Sequence, residues 1–163
     1  MNLGFTGQYP IKVDGKGRMS IPAAFRRVLE DEDPDWSPGQ QPRAILLFGP
    51  HLRENLQVYS VEKFLGIRDE ILGLPKGSER KRLASKMILS NSLTLDVDKD
   101  GRVVLPQAQR DKLGLTEGEL KLAGMGDHFE IWRGEAYEAA DTEVETFLAA
   151  QDQNFDPLSL LGT

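Results

Sequence analysis

Residues 13–26 read V-D-G-K-G-R-M-S-I-P-A-A-F-R, and a related stretch at residues 97–110 reads V-D-K-D-G-R-V-V-L-P-Q-A-Q-R. A shift of 84 residues aligns the two stretches without a gap. The identical positions are then Val13 with Val97, Asp14 with Asp98, Gly17 with Gly101, Arg18 with Arg102, Pro22 with Pro106, Ala24 with Ala108, and Arg26 with Arg110. A chance Asp-Gly turn would not give this agreement, so the sequence indicates an internal duplication.

Each copy predicts a strand, a tight turn, a second strand and a short helix. Residues 9–13 and 93–97 alternate apolar and polar side chains, as half-buried strands do. Asp and Gly suit the turn because both tolerate the backbone angles of a chain reversal. Pro22 and Pro106 suit the first helical position, where a missing N–H costs nothing. The helix of the second copy is expected to end at Gly114.

Both copies then predict two more strands followed by helical segments. The four strands are expected at residues 44–48, 56–59, 120–122 and 129–132. The helices are expected at residues 61–72, with Ser60 as a cap, at residues 78–89, and after residue 132 to about residue 150. The last helix places Ala136, Ala140, Val144, Phe147 and Leu148 on one face. We interpret such stripes as packing surfaces within the chain or between subunits.

Residues 30–43 are rich in acidic residues, Pro, Gly and Gln. Pro34, Pro38 and Pro42 are incompatible with regular structure, so the segment is expected to be a surface loop. Aligning Tyr59 with Trp132 needs a shift of 73 residues rather than 84, so the loop makes the first copy 11 residues longer.

We divide the chain into a first repeat at residues 1–80, a second repeat at residues 81–150, and a C-terminal tail at residues 151–163. A repeat of this length would be marginally stable alone, so the two repeats are expected to share one core. The tail lacks a strong helical pattern and is expected to be mobile.

The sequence Asp-x-x-x-Arg, followed by Pro four residues later, occurs in both copies and resembles the MraZ family of bacterial transcriptional regulators. That family belongs to the SpoVT/AbrB-like swapped-hairpin superfamily. The resemblance covers residues 1 to about 150. It implies an α+β fold with an internally duplicated, AbrB-like swapped-hairpin β-barrel core and flanking helices. It also implies a ring of chains that binds promoter direct repeats upstream of the bacterial division and cell-wall gene cluster.

Composition excludes several classes of protein. The chain has no Cys, so neither a disulfide framework nor a thiolate metal site is possible. The first residues form no signal peptide, and no apolar run approaches the roughly 20 residues that span a bilayer. We therefore expect a cytoplasmic, nucleoid-associated protein without a membrane partner.

The net charge of −6 is unevenly distributed. Residues 127–163 hold nine acids and one base, and residues 30–35 hold five acids. The remainder carries seven excess positive charges. A basic face on an acidic protein is possible because steering depends on the local potential, although scattered solvated charge would give the same composition.

Two interpretations of the paired Asp and Arg residues stay open. Asp14 with Arg18, and Asp98 with Arg102, can form ion pairs that fix the end of each hairpin. A guanidinium can also bind phosphate or the O6/N7 edge of guanine in a major groove, which a two-stranded ribbon can enter. Both roles can coexist. The resemblance implies that Arg18 and Arg102 bind operator DNA.

Other basic residues are candidates for phosphate contacts, which set register without reading sequence. They are Lys12, Lys16, Arg26, Arg27, Lys99, Arg110 and Lys112. Arg26 and Arg110 each follow Pro by four residues, where an ion pair to an acid is an equal alternative. Lys16 has Asp100 as its counterpart, so the two copies should not contact DNA equally, and the first copy is the stronger candidate.

Metal and catalytic sites are not expected. Asp96, Asp98 and Asp100 before Gly101 match the opening of a calcium-binding EF-hand loop, but the twelfth position is Gln107 instead of Glu. No catalytic triad, thiol nucleophile or acid pair can be assembled around the two histidines. The sequence thus predicts no enzyme, no cofactor and no small-molecule substrate.

Two functional hypotheses remain. The first is a sequence-specific transcriptional regulator whose partners are double-stranded DNA and further copies of itself in a ring-shaped homo-oligomer. The second is an AbrB-like protein-interaction module, such as a toxin-neutralising antitoxin. Such antitoxins generally follow the hairpin fold with a disordered tail, whereas residues 129–150 carry a helical pattern here.

Overall fold

The computed structural model describes residues 1–162 as a mixed α+β fold. The strands are β1 (Gln8–Val13), β2 (Arg18–Ser20), β3 (Arg43–Leu47), β4 (Asn55–Tyr59), β5 (Ser92–Asp96), β6 (Arg102–Val104), β7 (Gly118–Gly124) and β8 (His128–Arg133). The helices are α1 (Ala23–Asp31), α2 (Val61–Leu72), α3 (Glu79–Met87), α4 (Gln107–Leu113), α5 (Gly134–Ala140) and α6 (Thr142–Ala149). Two 3₁₀ helices cover Leu89–Asn91 and Pro157–Leu160. No helix among the described residues has both the length and the apolar character needed to span a bilayer.

The two halves of the chain follow the same order of elements and are interlocked. The series β1, β2, α1, β3, β4, α2 in the first half corresponds to β5, β6, α4, β7, β8, α5 in the second. Strand β1 pairs with β7, β2 with β6, and β4 with β8, all antiparallel and all between halves. Neither half could keep these ladders alone, because each edge of one half is hydrogen-bonded to the other.

The predicted closed barrel is not present in residues 1–162. Six strands form an open antiparallel sheet in the order β1-β7-β8-β4-β3-β5, and the end strands β1 and β5 are not paired with each other. Strands β2 and β6 form a separate two-stranded ribbon. Because β1 and β5 each turn directly into this ribbon, the ribbon covers the core between the two ends of the sheet instead of a closing β1–β5 ladder.

A single apolar core fills the space between the sheet, the ribbon and α1. Phe25 of α1 stacks on Phe129 of β8 with ring centroids 4.8 Å apart, and Phe5 meets both rings edge-on at 5.2 Å. Met19 of β2 and Val103 of β6 point into the same core. The alternation of apolar residues in the duplicated stretch therefore corresponds to the core-facing side of each strand.

Helices α2 and α5 cover the outer face of the sheet at its two ends. Helix α2 begins at the predicted Ser60 cap, whose hydroxyl accepts a hydrogen bond from the Lys63 N–H at 3.2 Å. Its Val61 packs on the outward residues Ile45 and Leu47 of β3. Helix α5 contacts β7 and β8. A smaller apolar cluster is thereby added on the face opposite the main core.

Several predicted boundaries are wrong. The helix expected after residue 132 is two helices, α5 and α6, separated at Asp141, where the Thr142 hydroxyl donates to the Ala139 carbonyl at 2.8 Å and competes with backbone bonding. Helix α3 ends at Met87, before the expected residue 89. The predicted tail at residues 151–163 contains the 3₁₀ helix Pro157–Leu160, and its last residue lies outside the described residues.

The acidic segment at residues 30–43 is a connection that is anchored rather than merely solvated. Helix α1 extends to Asp31, so the irregular part is shorter than predicted. Asp33 is only 5% exposed and accepts hydrogen bonds from the Arg43 guanidinium at 2.7 and 3.1 Å. The Arg43 hydrogen bond holds the pKa of the Asp33 carboxyl below its usual value. One carboxylate therefore fixes both ends of this loop.

Candidate nucleic-acid interface

The first hairpin turn is organised by the carboxylate of Asp14. Its Oδ1 accepts hydrogen bonds from the backbone N–H groups of Lys16 and Arg18, both at 2.9 Å. Its Oδ2 accepts the Arg18 Nε–H at 2.7 Å. These contacts, chiefly the Arg18 backbone N–H, lower the pKa of the Asp14 carboxyl. The carboxylate thus shapes the turn and orients the arginine beside it.

The second turn repeats this geometry with one difference. Asp98 accepts the backbone N–H groups of Asp100 and Arg102 at 2.9 Å, and the Arg102 N–H is the chief cause of its lowered pKa. The Arg102 guanidinium lies farther away, with Nε 3.6 Å from Asp98 and Nη2 3.4 Å from Asp100. Arg102 is therefore held more loosely and shares its charge with an additional carboxylate.

Glycines 17 and 101 let the two turns lock against each other. Both have a left-handed backbone, with φ of 86° and 77°. The Gly17 carbonyl accepts the Leu105 N–H at 2.7 Å, and the Gly101 carbonyl accepts the Ile21 N–H at 2.8 Å. An added Cβ at Gly17 would lie 2.3 Å from the Leu105 carbonyl oxygen. Only glycine fits both the backbone angle and this close approach.

The β2–β6 ribbon brings Arg18 and Arg102 to the same surface. Arg18 lies opposite Val104, and Ser20 lies opposite Arg102. Residues directly opposite each other in an antiparallel pair share a face, so these four side chains project together while Met19 and Val103 face the core. The two arginines are diagonal neighbours, with side chains 43% and 38% exposed.

The terminal nitrogens of Arg18 have no hydrogen-bond partner within residues 1–162, since its pairing uses only Nε. The Nε of Arg102 is buried without a partner, so the fork of this side chain is turned outward. Each guanidinium therefore keeps donors for an external acceptor. Carboxylates and the edges of guanine both match such a planar fork, and phosphate oxygens match it equally well.

The surroundings of the arginines are of mixed charge. Lys12 of β1 lines the same surface groove as Arg18 and Arg102, together with Glu117 and Glu119. Lys12 lies directly opposite Glu119 in the β1–β7 ladder. The groove consequently lacks a strong positive field, and any recognition here depends on directed hydrogen bonds as well as on charge.

The two turns differ in their neighbours. Lys16 is exposed at the tip of the first turn, where the second turn has Asp100. Lys99, also exposed, lies beside the acidic loop and shares a surface cavity with Gly39, Gln40 and Gln41. The corresponding neighbour of the first turn is the much shorter connection after Gly114. The pseudo-symmetric ribbon thus has two unequal ends.

Arg26 and Arg110 occupy equivalent positions and bind backbone carbonyls. Arg110 is 5% exposed and donates to the carbonyls of Leu105 at 3.0 Å, Thr116 at 2.8 Å and Gly15 at 3.3 Å. Arg26 donates to the Ile21 carbonyl at 3.0 Å. Neither side chain pairs with an acid within residues 1–162, and both support the loop that follows the ribbon strand.

Lys112 is likewise occupied, because its ammonium donates to the carbonyls of Phe48 at 2.9 Å and Gly49 at 2.7 Å, and burial lowers its pKa. Arg27 is exposed on α1. Sequence reasoning did not consider Ser20 or Val104, which share the ribbon face with the arginines. Strand alternation could have identified both, whereas the nearness of Glu117 and Glu119 follows only from the pairing of β1 with β7.

Comparison with known proteins is consistent over nearly the whole chain. A family model described as "MraZ protein, putative antitoxin-like" matches residues 88–156. Relatives named transcriptional regulator MraZ include one from Ruegeria sp. (strain TM1040), 40% identical over 99% of this chain and 96% of its own length. Another from Ruegeria pomeroyi is 38% identical over 96% and 94%. A third, from Stenotrophomonas maltophilia, is 30% identical over 83% and 86%. The chain therefore belongs to the MraZ family.

Proposed function

We propose that this chain is a sequence-specific DNA-binding transcriptional regulator that reads double-stranded DNA with the exposed face of the β2–β6 ribbon. The observation that carries the proposal is the shared face of Arg18 and Arg102, each with guanidinium nitrogens still available. The names of the relatives support a regulatory role. A two-stranded ribbon fits a major groove, where an arginine fork pairs with guanine O6 and N7.

The first hairpin tip is the main reading element in this proposal. Arg18 is oriented by a 2.7 Å contact to Asp14 and has Lys16 next to it, whereas Arg102 is shared with Asp100. Lys12, Lys16 and Lys99 supply phosphate contacts that set the register of the protein on the duplex. Arg26 and Arg110 support the ribbon from behind, and the Asp, Gly and Pro residues of each motif fix its shape.

The fold, in this proposal, is a duplicated AbrB-like swapped hairpin, with repeats at residues 1–80 and 81–150. One chain then supplies both halves of a DNA-binding module. Chains associate side by side into a ring-shaped homo-oligomer that binds several promoter direct repeats of the division and cell-wall gene cluster in the nucleoid. Few base contacts per chain suffice in such an assembly, because linked modules bind with a high effective concentration.

Replacing Arg18 by Ala tests the reading role. Specific binding should weaken by roughly 1–3 kcal/mol per engaged module, since a bidentate base contact is lost. The measurement is a gel-shift titration on DNA from upstream of the protein's own gene. Arg53→Ala is the matched control, because it removes an equal charge from the exposed connection between β3 and β4. Unchanged binding by folded Arg18→Ala protein would remove Arg18 from the site.

A toxin-neutralising interaction module is the second candidate. Two observations favour it, namely the antitoxin-like description of the matching family model and the exposed apolar residues of the C-terminal segment. In that case the critical surface is α6 with the residues after it, and Arg18→Ala leaves partner binding unchanged. The same variant therefore separates the two candidates.

A further inference from the structure

Helices α3 and α6 are short and bury no side chain in their own chain. They have nine and eight residues, and isolated helices below about 12–15 residues are marginal in water. Most helices in proteins gain their stability from packing one apolar face. Both helices therefore lack, within residues 1–162, the packing that would normally stabilise them.

Each of these helices exposes a compact apolar stripe. On α3, Leu83 and Met87 are spaced by four residues and are 43% and 36% exposed. On α6, Val144, Phe147 and Leu148 are spaced by three and four residues and are 57%, 43% and 45% exposed. Residues at these spacings lie on one side of a helix. Each helix thus presents a face suited to another helix.

The charges around the two stripes are opposite. Helix α3 carries Arg80, Lys81, Arg82 and Lys86 with a single acid, Glu79. Residues 134–163 contain no Lys or Arg, and α6 itself carries Glu143 and Glu145. Opposite potentials favour the pairing of α3 with α6 and disfavour the pairing of either helix with its own kind.

The two stripes lie at opposite ends of the molecule. Helix α2 packs on β3, and α3 is tied to its end by a hydrogen bond from Lys81 Nζ to the Leu72 carbonyl at 3.1 Å. Helix α5, which leads into α6, packs on β7 and β8 in the other half of the sheet. Ile45 and Lys121, which face α2 and α5, are on the same outer face. The α3 and α6 stripes of one chain therefore do not meet each other.

We infer that α6 of one copy docks in a head-to-tail manner on α3 and the end of α2 of a second copy. The occupant is a second copy because the two surfaces are complementary in charge and both are apolar at the centre. A contact between different surfaces at opposite ends leaves one free surface of each kind, so it propagates until a ring closes. The inference rests on the proposed function only in assuming that copies associate.

The test uses two variants that each destroy one side of the contact. Leu83→Glu places an acid in the α3 stripe and keeps α6 intact, whereas Phe147→Glu disrupts the α6 stripe and keeps α3 intact. Met125→Glu is the control, since Met125 is 55% exposed and lies outside both stripes. Molar mass is measured by size-exclusion chromatography with light scattering, and folding by circular dichroism.

We expect the wild-type chain and Met125→Glu to be large oligomers and each of the other variants alone to be monomeric. An equimolar mixture of Leu83→Glu and Phe147→Glu should give a dimer and nothing larger, because only one intact contact remains. A monomeric wild type, wild-type mass for folded Leu83→Glu, or a mixture that stays monomeric would overturn the inference. Loss of mass with Phe147→Glu alone would point to a different occupant and would overturn it as well.

DNA binding distinguishes this failure from that of the proposed function. Arg18→Ala should keep the wild-type mass while losing specific binding. Leu83→Glu should still bind DNA with a single repeat but lose the avidity for several repeats. An intact oligomer without specific DNA binding would refute the proposed function and leave the docking contact standing.

Discussion

Gly17 and Gly39 have similar left-handed backbones, with φ of 86° and 92°, but different surroundings. A Cβ at Gly39 would meet no atom within 4 Å, whereas a Cβ at Gly17 would collide with the Leu105 carbonyl. The pair therefore separates the cost of the backbone angle from the cost of crowding. Such a comparison addresses the residue on which the interlocked turns depend.

Replacing Gly39 by Ala should lower the free energy of unfolding by about 1–2 kcal/mol, the cost of a left-handed L-residue. Gly17→Ala should cost roughly 1–3 kcal/mol more, because the Leu105 carbonyl must also move. Urea unfolding measures both values. Equal destabilisation of the two variants would contradict the close approach of the turn to the second half.

At the same scale, the sequence predicted which residues matter in the turns better than it predicted their partners. The spacing of Asp14, Gly17 and Arg18 is local, so turn chemistry alone indicates how they interact. The role of Arg110 was left between an acid and a phosphate. Its carbonyl acceptors belong to a turn 95 residues away and to a nearby loop, and no spacing rule identifies them.

Among the elements, the acidic loop departs most from expectation. Its prolines correctly exclude regular structure, but its acidic composition suggested only a solvated segment. The ion pair between Asp33 and Arg43 joins the start of the loop to the first residue of β3. The loop is therefore part of the folded unit, and its stability should respond to pH.

The pKa of Asp33 is lowered in the folded chain, chiefly by the hydrogen bond from Arg43. Around its ordinary value of 3.8 the unfolded chain therefore binds more protons than the folded one. Stability from this carboxylate is complete above about pH 5 and is lost as the pH falls through 3.8 and then through the lowered folded value. Asp33→Asn should thus lose less stability than the wild type between pH 7 and pH 3.

The control for this prediction is Asp152→Asn, which changes an exposed carboxylate near the end of the chain. Unfolding midpoints in urea at the two pH values provide the measurement. If Asp33→Asn and the wild type lose the same stability on acidification, the Asp33 carboxylate does not contribute to the pH dependence.

For the whole molecule, the main electrostatic question is how a chain of net charge −6 binds DNA. The acids are concentrated in the acidic loop and in the C-terminal segment, away from the first hairpin tip. The ribbon face itself has mixed charge. Binding by one chain should therefore be weak, and an oligomer with several tips would provide the affinity.

The affinity of the assembled protein for DNA should consequently fall steeply as salt rises. Each neutralised phosphate contributes a slope of about −0.9 to the logarithm of the binding constant against the logarithm of salt concentration. Fluorescence anisotropy between 50 and 200 mM salt, roughly the range over which such losses are large, measures the slope. A flat dependence would contradict phosphate contacts by Lys12, Lys16 and Lys99.

The amino-acid sequence by itself determined the repeated order of strand, turn, strand and helix, the turn residues, the Ser60 cap and the position of Gly114. These features follow from local backbone preferences and from side-chain periodicity, which act over a few residues. Only the tertiary structure decided that β1 pairs with β7 and β2 with β6, that the sheet stays open, and that both arginines share one face. Those outcomes depend on contacts between segments far apart in the chain, whose free energies no local pattern encodes.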